Sequence, residues 1–437
     1  MNHDLDSIRN ASFPAESYEI ESFVTEINFQ DNELRDIQSK ESCGRSVRVI
    51  ADGRLGVARG GHNASHTDLL NRAAAIARFG RDAGFAFPAG PAEPITDSHG
   101  DPALTVDAML ELGNRFMGDL TAALPGWKFL IMLNHERARK HLVNSRGLDW
   151  TFHTGDFGYH ILGTLARDGD IIEIHEARAR FPDASRYESV IRSIREHATA
   201  CLTPARIDGG SYPVLLHPCA LGSFLESLDE GIDARNIFDG VSPLRDRIGE
   251  RVMDERVSIW DDPVEPSMPG FSPRSDEGVA AIRKPLVQNG ILRNYLANLE
   301  YAARLNLQDG SNGFRSISAG SSLPGADSHI SGTNRMIDSG RVPFEDMLRD
   351  MKHGIVLIQS WDAWSGNLIN GDISGSLHLG FLVKNGRLAG RLKDMRLSGN
   401  IYDLLGKQLV DLSIECPDTI HSDQRAPWMM VRDVTIC

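Results

Sequence analysis

Two carboxylates with a spacing suited to metal binding occur in the middle of the chain, at Glu226 and Glu230. Residues four apart share one face of a helix, and their neighbours have the pattern of an amphipathic helix. Apolar side chains recur at helical spacing at Phe224, Leu225, Leu228 and Ile232. Together with His421, the two glutamates would make a carboxylate-rich metal site. The alternative is that they occupy the exposed helix face, where paired acidic side chains without a basic or metal partner usually lie.

The histidines at residues 135, 141 and 175 lack the spacing of a metal site. His135-Glu136 and His141 resemble a zinc-protease motif, but these histidines are six residues apart rather than the four of HExxH. Their segment has the pattern of a strand, in which residues six apart are separated by about 20 Å. His175-Glu176 has no second histidine nearby in the sequence. The chain also has no GxSxG motif and no cysteine in a cysteine-protease context, so neither type of nucleophilic hydrolase is indicated.

The overall charge and composition exclude several classes of function. The chain has 437 residues and a formal net charge of −14, with no long basic run, so we do not expect it to bind nucleic acid. Its 5 cysteines form no CxxC pair, which argues against a disulfide framework and a thiolate zinc site. No apolar run approaches the roughly 20 residues that cross a bilayer, and the N-terminus is acidic and polar. We therefore expect a cytoplasmic protein that does not contact membranes.

The length of the chain exceeds one ordinary core and predicts two domains, residues 1–208 and 209–437, joined at the hinge-like segment LTPARIDGG. The predicted fold class is α+β, with an N-terminal α/β domain that contains an antiparallel sheet. The C-terminal domain is strand-rich, and we expect a curved sheet or open barrel around a central helix that starts near Ala220. Asp52-Gly53 predicts a hairpin turn. Three further helices are predicted at 67–81, 106–123 and 187–201.

Several separate strings, in the same order, resemble the TldD/PmbA peptidase family, whose members were once called modulators of DNA gyrase. A strand, the central helix and a basic loop follow one another from Tyr212 to Gly249. The strings RVIADGRLG and VNSRG match family patterns in the N-terminal half. In the C-terminal half, PRSDEG leads to an Asn289-Gly290 hairpin, and NGDISG carries Asn370 in place of the usual threonine. The resemblance covers roughly residues 17–436.

The resemblance also bears on the zinc site. In the TldD branch the central helix carries HExxxH, and its two histidines hold zinc together with a distant cysteine. The matching window here reads ESLDEG, so Glu226 and Gly231 replace the two histidines and Ser227 replaces the glutamate; Glu230 lies in the same degenerate motif. The family's cysteine loop is missing, and Cys416 is the nearest candidate. The chain thus looks like the PmbA/TldE branch, which implies no zinc in this chain.

The resemblance implies a subunit of a two-chain metallopeptidase, whose TldD-like partner carries HExxxH and the zinc. The substrate would be an unfolded peptide, a modified precursor peptide or a small biosynthetic intermediate, and a homodimer remains open beside the heterodimer. We expect the segments 276–301 and 371–380 to approach the central helix and to form a chamber wall. The expected wall residues are Asp276, Glu277, Gly278, Asp372 and Ser374. Two alternatives are a self-contained hydrolase with the rebuilt glutamate and histidine site, and a protein-binding modulator without catalysis.

Overall fold

The structure is a computed structural model that describes residues 3–61, 63–91, 93–179, 184–315, 328–363, 365–417 and 423–437. A large sheet with flanking helices fills the N-terminal half, and a barrel with a central helix fills the C-terminal half. The predicted α+β class is therefore confirmed.

The N-terminal half is built from long strands, because its sequence alternates apolar and polar residues. Its strands are β1 (Ala15–Gln30), β2 (Glu33–Ala51), β3 (Arg54–Gly61), β4 (Ile95–Gly100), β5 (Lys128–Asn144), β6 (Asp149–Arg167) and β7 (Asp170–Ala179). Its helices are α1 (His3–Arg9), α2 (His66–Ala77), α3 (Val106–Ala123) and α4 (Ala184–Cys201). The helix α3 has the predicted bounds, α2 ends before the predicted residue 81, and α4 begins before the predicted residue 187.

These strands form one sheet in the order β3-β2-β1-β5-β6-β4, with β7 paired to β6. The described neighbours are antiparallel except for β4, which runs parallel to β6. The turn between β2 and β3 is the predicted hairpin: Asp52 and Gly53 have φ values of 50° and 75°, which a two-residue turn of type I′ requires. His135 and His141 both lie within β5, so the interpretation of their segment as a strand is confirmed.

The C-terminal half alternates short strands with short helices around one longer helix. Its strands are β8 (Gly210–Leu216), β9 (Ile259–Asp261), β10 (Lys284–Gln288), β11 (Ile291–Leu292), β12 (Gly313–Phe314), β13 (His329–Ile330), β14 (Arg335–Ile337), β15 (His353–Trp361), β16 (Asp372–Lys384), β17 (Arg387–Leu392), β18 (Arg396–Asn400), β19 (Leu409–Leu412), β20 (Gln424–Arg425) and β21 (Met429–Ile436). Its helices are α5 (Pro218–Ile232), α6 (Ala234–Phe238), α7 (Leu299–Arg304), α8 (Phe344–Asp350) and α9 (Ile401–Leu404), with a 3-10 turn at Leu368–Asn370.

Five of these strands close into a barrel. The ring runs β15-β8-β21-β18-β16 and returns to β15 through an antiparallel β15–β16 pairing. The barrel is thus closed rather than open. A smaller sheet, β11-β10-β9-β14-β20, lies beside it.

Alternate residues of the barrel strands face two different cores, which explains their continuous apolar runs. On β15, Ile355 and Leu357 pack into the core around the central helix α5. Val356 and Ile358 face the opposite way, into a core shared with the N-terminal sheet and the helices α3 and α4. A strand that is buried on both faces has no polar alternation. The barrel wall therefore joins the two halves of the chain.

The predicted hinge is held against the barrel. Ala205 donates its backbone N–H to the carbonyl of Arg391 at 2.8 Å, and Arg391 donates to the carbonyl of Thr203 at 2.8 Å. These bonds extend the edge strand β17 by a short parallel bridge. The domain division at residue 208 stays a prediction. Within the described ranges, helices of the length and apolarity needed to cross a membrane do not occur.

Candidate functional site

The central helix α5 follows β8 directly and is almost completely buried. His217 caps its N-terminus, since the ring Nδ1 accepts the backbone N–H of Cys219 at 3.1 Å. Pro218 occupies the first turn, where its missing N–H costs nothing, so the helix starts two residues before the expected Ala220. The stripe predicted from the sequence faces the core, with Phe224, Leu225, Leu228 and Ile232 all at 0% exposure.

The positions that match the zinc motif do not converge on an open site. Glu226 points to solvent, whereas Ser227 is fully buried and its hydroxyl has no partner among the described atoms. Gly231 is buried as well, and a Cβ atom added there would lie 2.1 Å from the hydroxyl oxygen of Tyr402. A larger side chain at residue 231 has no room without movement of that tyrosine.

Glu226 and Glu230 are both exposed, as expected for the outer face of an amphipathic helix. Glu230 caps the following turn, because its Oε2 accepts a hydrogen bond from Asn236 Nδ2 at 3.0 Å. His421, the third residue of the alternative metal site, lies outside the described residues. That site stays a prediction.

Asp229 lies between these glutamates and forms an ion pair with Arg335 of β14. Arg335 also donates to Gln424 Oε1 at 3.0 Å. Burial raises the pKa of Asp229 to about 6, and Asp261, Asp423 and Glu226 act in the same direction, while Arg335 opposes them. Asp229 is therefore a carboxyl group that changes charge close to neutral pH.

We expect the stability of the wild type to fall, relative to that of Asp229→Asn, as pH rises from about 4 to 6. The unfolded carboxyl group has a pKa of about 3.9. Since the folded group holds its proton more tightly, the protonated form favours folding, and this advantage is lost as pH rises through the folded value. Urea unfolding of both proteins across this pH range measures the difference between their free energies of unfolding. The contributions of other titrating groups cancel in this difference. A difference that stays constant with pH would contradict the assigned pKa.

The predicted wall residues Asp276, Glu277 and Gly278 form a tight turn with Gly278 at φ 80°. Both carboxylates are 1% exposed and lie at the junction of the two halves. Asp276 accepts from Lys140 Nζ at 3.0 Å and from the backbone N–H of Arg315 at 2.9 Å. Contact of this turn with a substrate stays a prediction.

Glu277 belongs to a buried network of charges. Arg48 of β2 donates to Glu277 Oε1 at 2.6 Å and, through Nε, to Glu16 Oε1 at 3.0 Å. Arg315 pairs with the same Glu16. The second oxygen of Glu277 accepts the backbone N–H of Leu299, the first residue of α7, at 2.8 Å. Two arginines and two glutamates, taken from both halves, thus neutralise one another away from water.

The other two predicted wall residues lie at the start of β16. Asp372 is exposed and accepts from Asn400 Nδ2 at 3.0 Å, and Ser374 accepts from Arg396 Nη2 at 3.2 Å. The ring of Tyr402 lies between Gly371 and Gly231, so the start of β16 adjoins the end of α5.

The segment 276–301 also reaches the central helix. Leu296 exchanges backbone hydrogen bonds with Ile232 and Ala234, at 3.0 and 2.9 Å. The expectation that both segments approach the helix is therefore confirmed, although the turn at 276–278 itself packs against the N-terminal half.

A cavity of about 410 Å³ opens at the N-terminal end of α5, and the sequence did not indicate it. It is lined by residues of α4, α5, β7, β15 and the segment before residue 418, among them His197, His217, Cys219 and Cys416. Burial lowers the pKa of His217 to about 3 and that of His197 to about 4, so both rings are neutral at pH 7. The spacing of the lining residues in the sequence does not indicate the cavity, because four separate elements and the segment before residue 418 bring them together.

Comparison with known families identifies the chain. The sequence profile of the PmbA/TldA metallopeptidase C-terminal domain matches residues 209–437, which is more than half of the chain. The chain belongs to the PmbA/TldD metallopeptidase family. The profile of the PmbA/TldA metallopeptidase domain 1 matches residues 15–83.

Individual family members match parts or all of the chain. A metalloprotease of Archaeoglobus fulgidus is 31% identical over 207 residues, which are 47% of this chain and 46% of that protein. A metalloprotease of Methanocaldococcus jannaschii is 32% identical over 202 residues, 45% of this chain and 42% of that protein. An uncharacterized protein of the same organism is 23% identical over 421 residues, 92% of each chain. The similarity thus spans less than half the length of the two metalloproteases.

Two solved structures share the whole fold. TldE from Thermococcus kodakarensis superimposes with a TM-score of 0.85 at 19% identity, over 97% of this chain and 96% of that one. A Thermotoga maritima protein superimposes with a TM-score of 0.86 at 22% identity, over 100% and 99% of the two chains. At these identities the likeness is one of fold.

Proposed function

We propose that this chain is the TldE/PmbA-like subunit, without a catalytic zinc of its own, of a two-chain metallopeptidase that cleaves peptides or peptide-like intermediates. In this proposal a TldD-like partner carries HExxxH and the catalytic zinc. The observation that carries the proposal is the burial of motif positions on α5. Glu226 is the only one of the three that reaches solvent, and Ser227 and Gly231 are buried.

The chemistry of a zinc peptidase supports this assignment. A catalytic zinc takes three protein ligands and keeps one position for water, whose pKa it lowers. Gly231 has no donor atom, and Tyr402 fills the space where a side chain would begin. Ser227 has a buried hydroxyl in place of a carboxylate, so it cannot accept a proton from a water molecule in the solvent.

The relatives support the same assignment. The metalloprotease of Archaeoglobus fulgidus matches 47% of this chain in sequence, and the TldE structure has the same fold. Relatives described as TldD homologues also occur, such as that of Haemophilus influenzae, which is 26% identical over 261 residues. A pairing of a TldD-like and a TldE-like chain accounts for both kinds of similarity.

The role of this chain is then to complete the enclosure around a bound peptide. An extended peptide binds to exposed strands through backbone hydrogen bonds and needs little sequence specificity. Enclosure excludes bulk water and orients the peptide, and these effects lower the barrier by several kcal/mol. Asp372 and Ser374, at the exposed start of β16, are the wall residues most accessible to such a peptide.

The test is peptide cleavage by this chain, by a HExxxH-bearing TldD-like chain, and by their mixture. We expect no cleavage by this chain alone and restored, chelator-sensitive cleavage in the mixture. Substitution of the motif glutamate in the partner removes the general base and should lower the rate about 10²- to 10⁴-fold. Glu226→Ala and Glu230→Ala in this chain should change the rate only modestly, since both side chains face solvent.

Chelator-sensitive cleavage by this chain alone, after removal of any co-purifying partner, would overturn the proposal. If that activity were lost in Glu226→Ala, the self-contained hydrolase with a rebuilt site would be the correct function. Stable association with the partner and no cleavage by the mixture would instead identify a modulator without catalysis.

A further inference from the structure

Three histidines and a glutamate meet on the side of the barrel that faces the N-terminal sheet. His160 lies on β6, His175 and Glu173 on β7, and His378 on β16. The ring centroid of His175 is 5.4 Å from that of His160 and 4.8 Å from that of His378. Glu173, His175 and His378 each place one ligand atom within 4.8 Å of the other two. Residues more than 200 positions apart in the chain thus form one cluster.

Two ring nitrogens of this cluster have no hydrogen-bond partner among the described residues. The Nε2 atoms of His175 and His378 are both buried and make no hydrogen bond within the described part of the chain. A buried polar atom without a partner costs about 1–3 kcal/mol, and protein interiors rarely leave two such atoms side by side. Their position in one cluster suits a ligand that both of them contact.

The surrounding contacts hold these rings in place. Nδ1 of His175 lies 3.3 Å from Nε2 of His160, and Gln359 Nε2 donates to the backbone oxygen of His175 at 3.0 Å. The indole of Trp361 stacks on the ring of His378, with centroids 3.9 Å apart and an interplanar angle of 6°. Metal-binding histidines commonly donate their second ring N–H to a neighbouring acceptor, which fixes the tautomer. His160 is placed to be that acceptor.

We propose that Glu173, His175 and His378 bind a divalent transition-metal ion. Two imidazoles and a carboxylate are ligands that suit zinc and related ions. Zinc–nitrogen bonds of about 2.0–2.1 Å place two tetrahedral ligand atoms about 3.4 Å apart. Small side-chain movements would therefore bring the present ligand atoms to the distances that an ion requires. Three protein ligands leave a fourth position for water or a small ligand. His175 also lines the 410 Å³ cavity, which offers space on that side.

The electrostatic setting is compatible with a cation. Neutral imidazole is the form of histidine that binds metals. The charge of Arg391 acts on His378, but Arg391 is paired with Asp170, which also accepts from Lys393 at 2.6 Å. The cluster uses none of the HExxxH positions on α5. It is therefore independent of the proposed function, and the expectation of no zinc in this chain concerned the helix and the missing cysteine loop, which the cluster does not use.

The test is titration of the metal-stripped full chain with Zn²⁺, followed by dialysis and elemental analysis, and with Co²⁺, whose visible absorption reports coordination by nitrogen and oxygen. We expect about one equivalent per chain for the wild type. His175→Ala and His378→Ala should weaken binding at least about tenfold, the scale of a lost ligand or of its support. His153→Ala, at an exposed histidine, and Glu226→Ala on α5 are matched controls that should bind as the wild type does.

The variant His378→Gln separates loss of metal from loss of folding, because it keeps a polar side chain of similar size. Zn²⁺ should raise the melting temperature of the wild type and of His153→Ala but not that of His378→Gln. The proposal would be overturned if neither Zn²⁺ nor Co²⁺ bound to the chain at 100-fold excess. Binding that survives both histidine substitutions, or binding that is lost in Glu226→Ala, would overturn it as well.

Discussion

Arg48→Met should lower the free energy of unfolding by about 3–5 kcal/mol, the usual cost of breaking a buried ion pair from one side. Arg48 is 2% exposed and its guanidinium contacts Glu16 and Glu277, which are 0% and 1% exposed. Methionine fills a similar volume but leaves Glu277, among the described residues, with two neutral donors, the hydroxyl of Ser328 and the backbone N–H of Leu299. A buried carboxylate without a countercharge is costly because it has lost its hydration.

Denaturant unfolding followed by circular dichroism measures this loss. Arg349→Met is the matched control, because Arg349 is 68% exposed and pairs with Asp346 on the same helix. A surface pair of this kind is worth about 0–1 kcal/mol. The loss of unfolding free energy in Arg48→Lys should lie between those of Arg48→Met and Arg349→Met. An ammonium keeps the charge but cannot contact both carboxylates with the geometry of a guanidinium.

The double variant Arg48→Met with Glu277→Gln shows whether the loss comes from the unpaired charge. Its loss of unfolding free energy should be smaller than the sum of the losses in the two single variants, because each substitution removes the charge that the other leaves buried and unpaired. Additive losses, or a loss below about 1 kcal/mol for Arg48→Met, would show that this network does not join the two halves of the chain.

Local features of the structure could be predicted because their causes are local. Asp52-Gly53 forms its turn through two positive φ angles that these residues adopt readily. Asn289-Gly290, with φ values of 49° and 75°, does the same between β10 and β11. The stripe on α5 follows from helical periodicity alone. In each case the required information lies within a few residues of sequence.

Features that depend on distant pairs could not be predicted. The acidic turn at residues 276–278 has the partners Arg48 and Lys140, which come from two strands of the other half and which the sequence did not indicate. His175 was set aside because no second histidine lies near it in the sequence, yet His378 stands beside it in space. Closure of the barrel likewise depends on the pairing of β15 with β16. Sequence spacing has no information about such contacts unless the topology is known.

Gly231 occupies the position of the second motif histidine, and the space beside it is limited by Tyr402, which is distant in the sequence. The Tyr402 ring is wedged between Gly231 and Gly371, where an added Cβ atom would lie 2.5 Å from the ring. Burial raises the pKa of the Tyr402 hydroxyl, which has no partner within the described residues. The ring has little freedom to move, so the hydroxyl closes the space above Gly231.

Gly231→Ala should therefore destabilise the wild type by about 1–3 kcal/mol, the usual cost of overpacking. In a Tyr402→Phe background the same substitution should be neutral or stabilising by up to about 1 kcal/mol, because alanine favours a helix over glycine. With the hydroxyl gone, the nearest atoms to the new Cβ are the ring carbon Cζ at 3.4 Å and Leu244 at 3.6 Å. Tyr402→Phe alone removes a buried polar atom without a partner and should cost little.

Gly231→His should cost about 3 kcal/mol or more in both backgrounds, because an imidazole needs space beyond the Cβ atom and buries polar nitrogens. Denaturant unfolding of all the single and double variants gives the coupling between residues 231 and 402 as a double-mutant cycle. A cost of Gly231→Ala that is equal in the two backgrounds would show that Tyr402 does not close this position. A histidine that is tolerated at residue 231 would show that the helix has room for the family's zinc ligand, and the absence of that ligand would then have no steric cause.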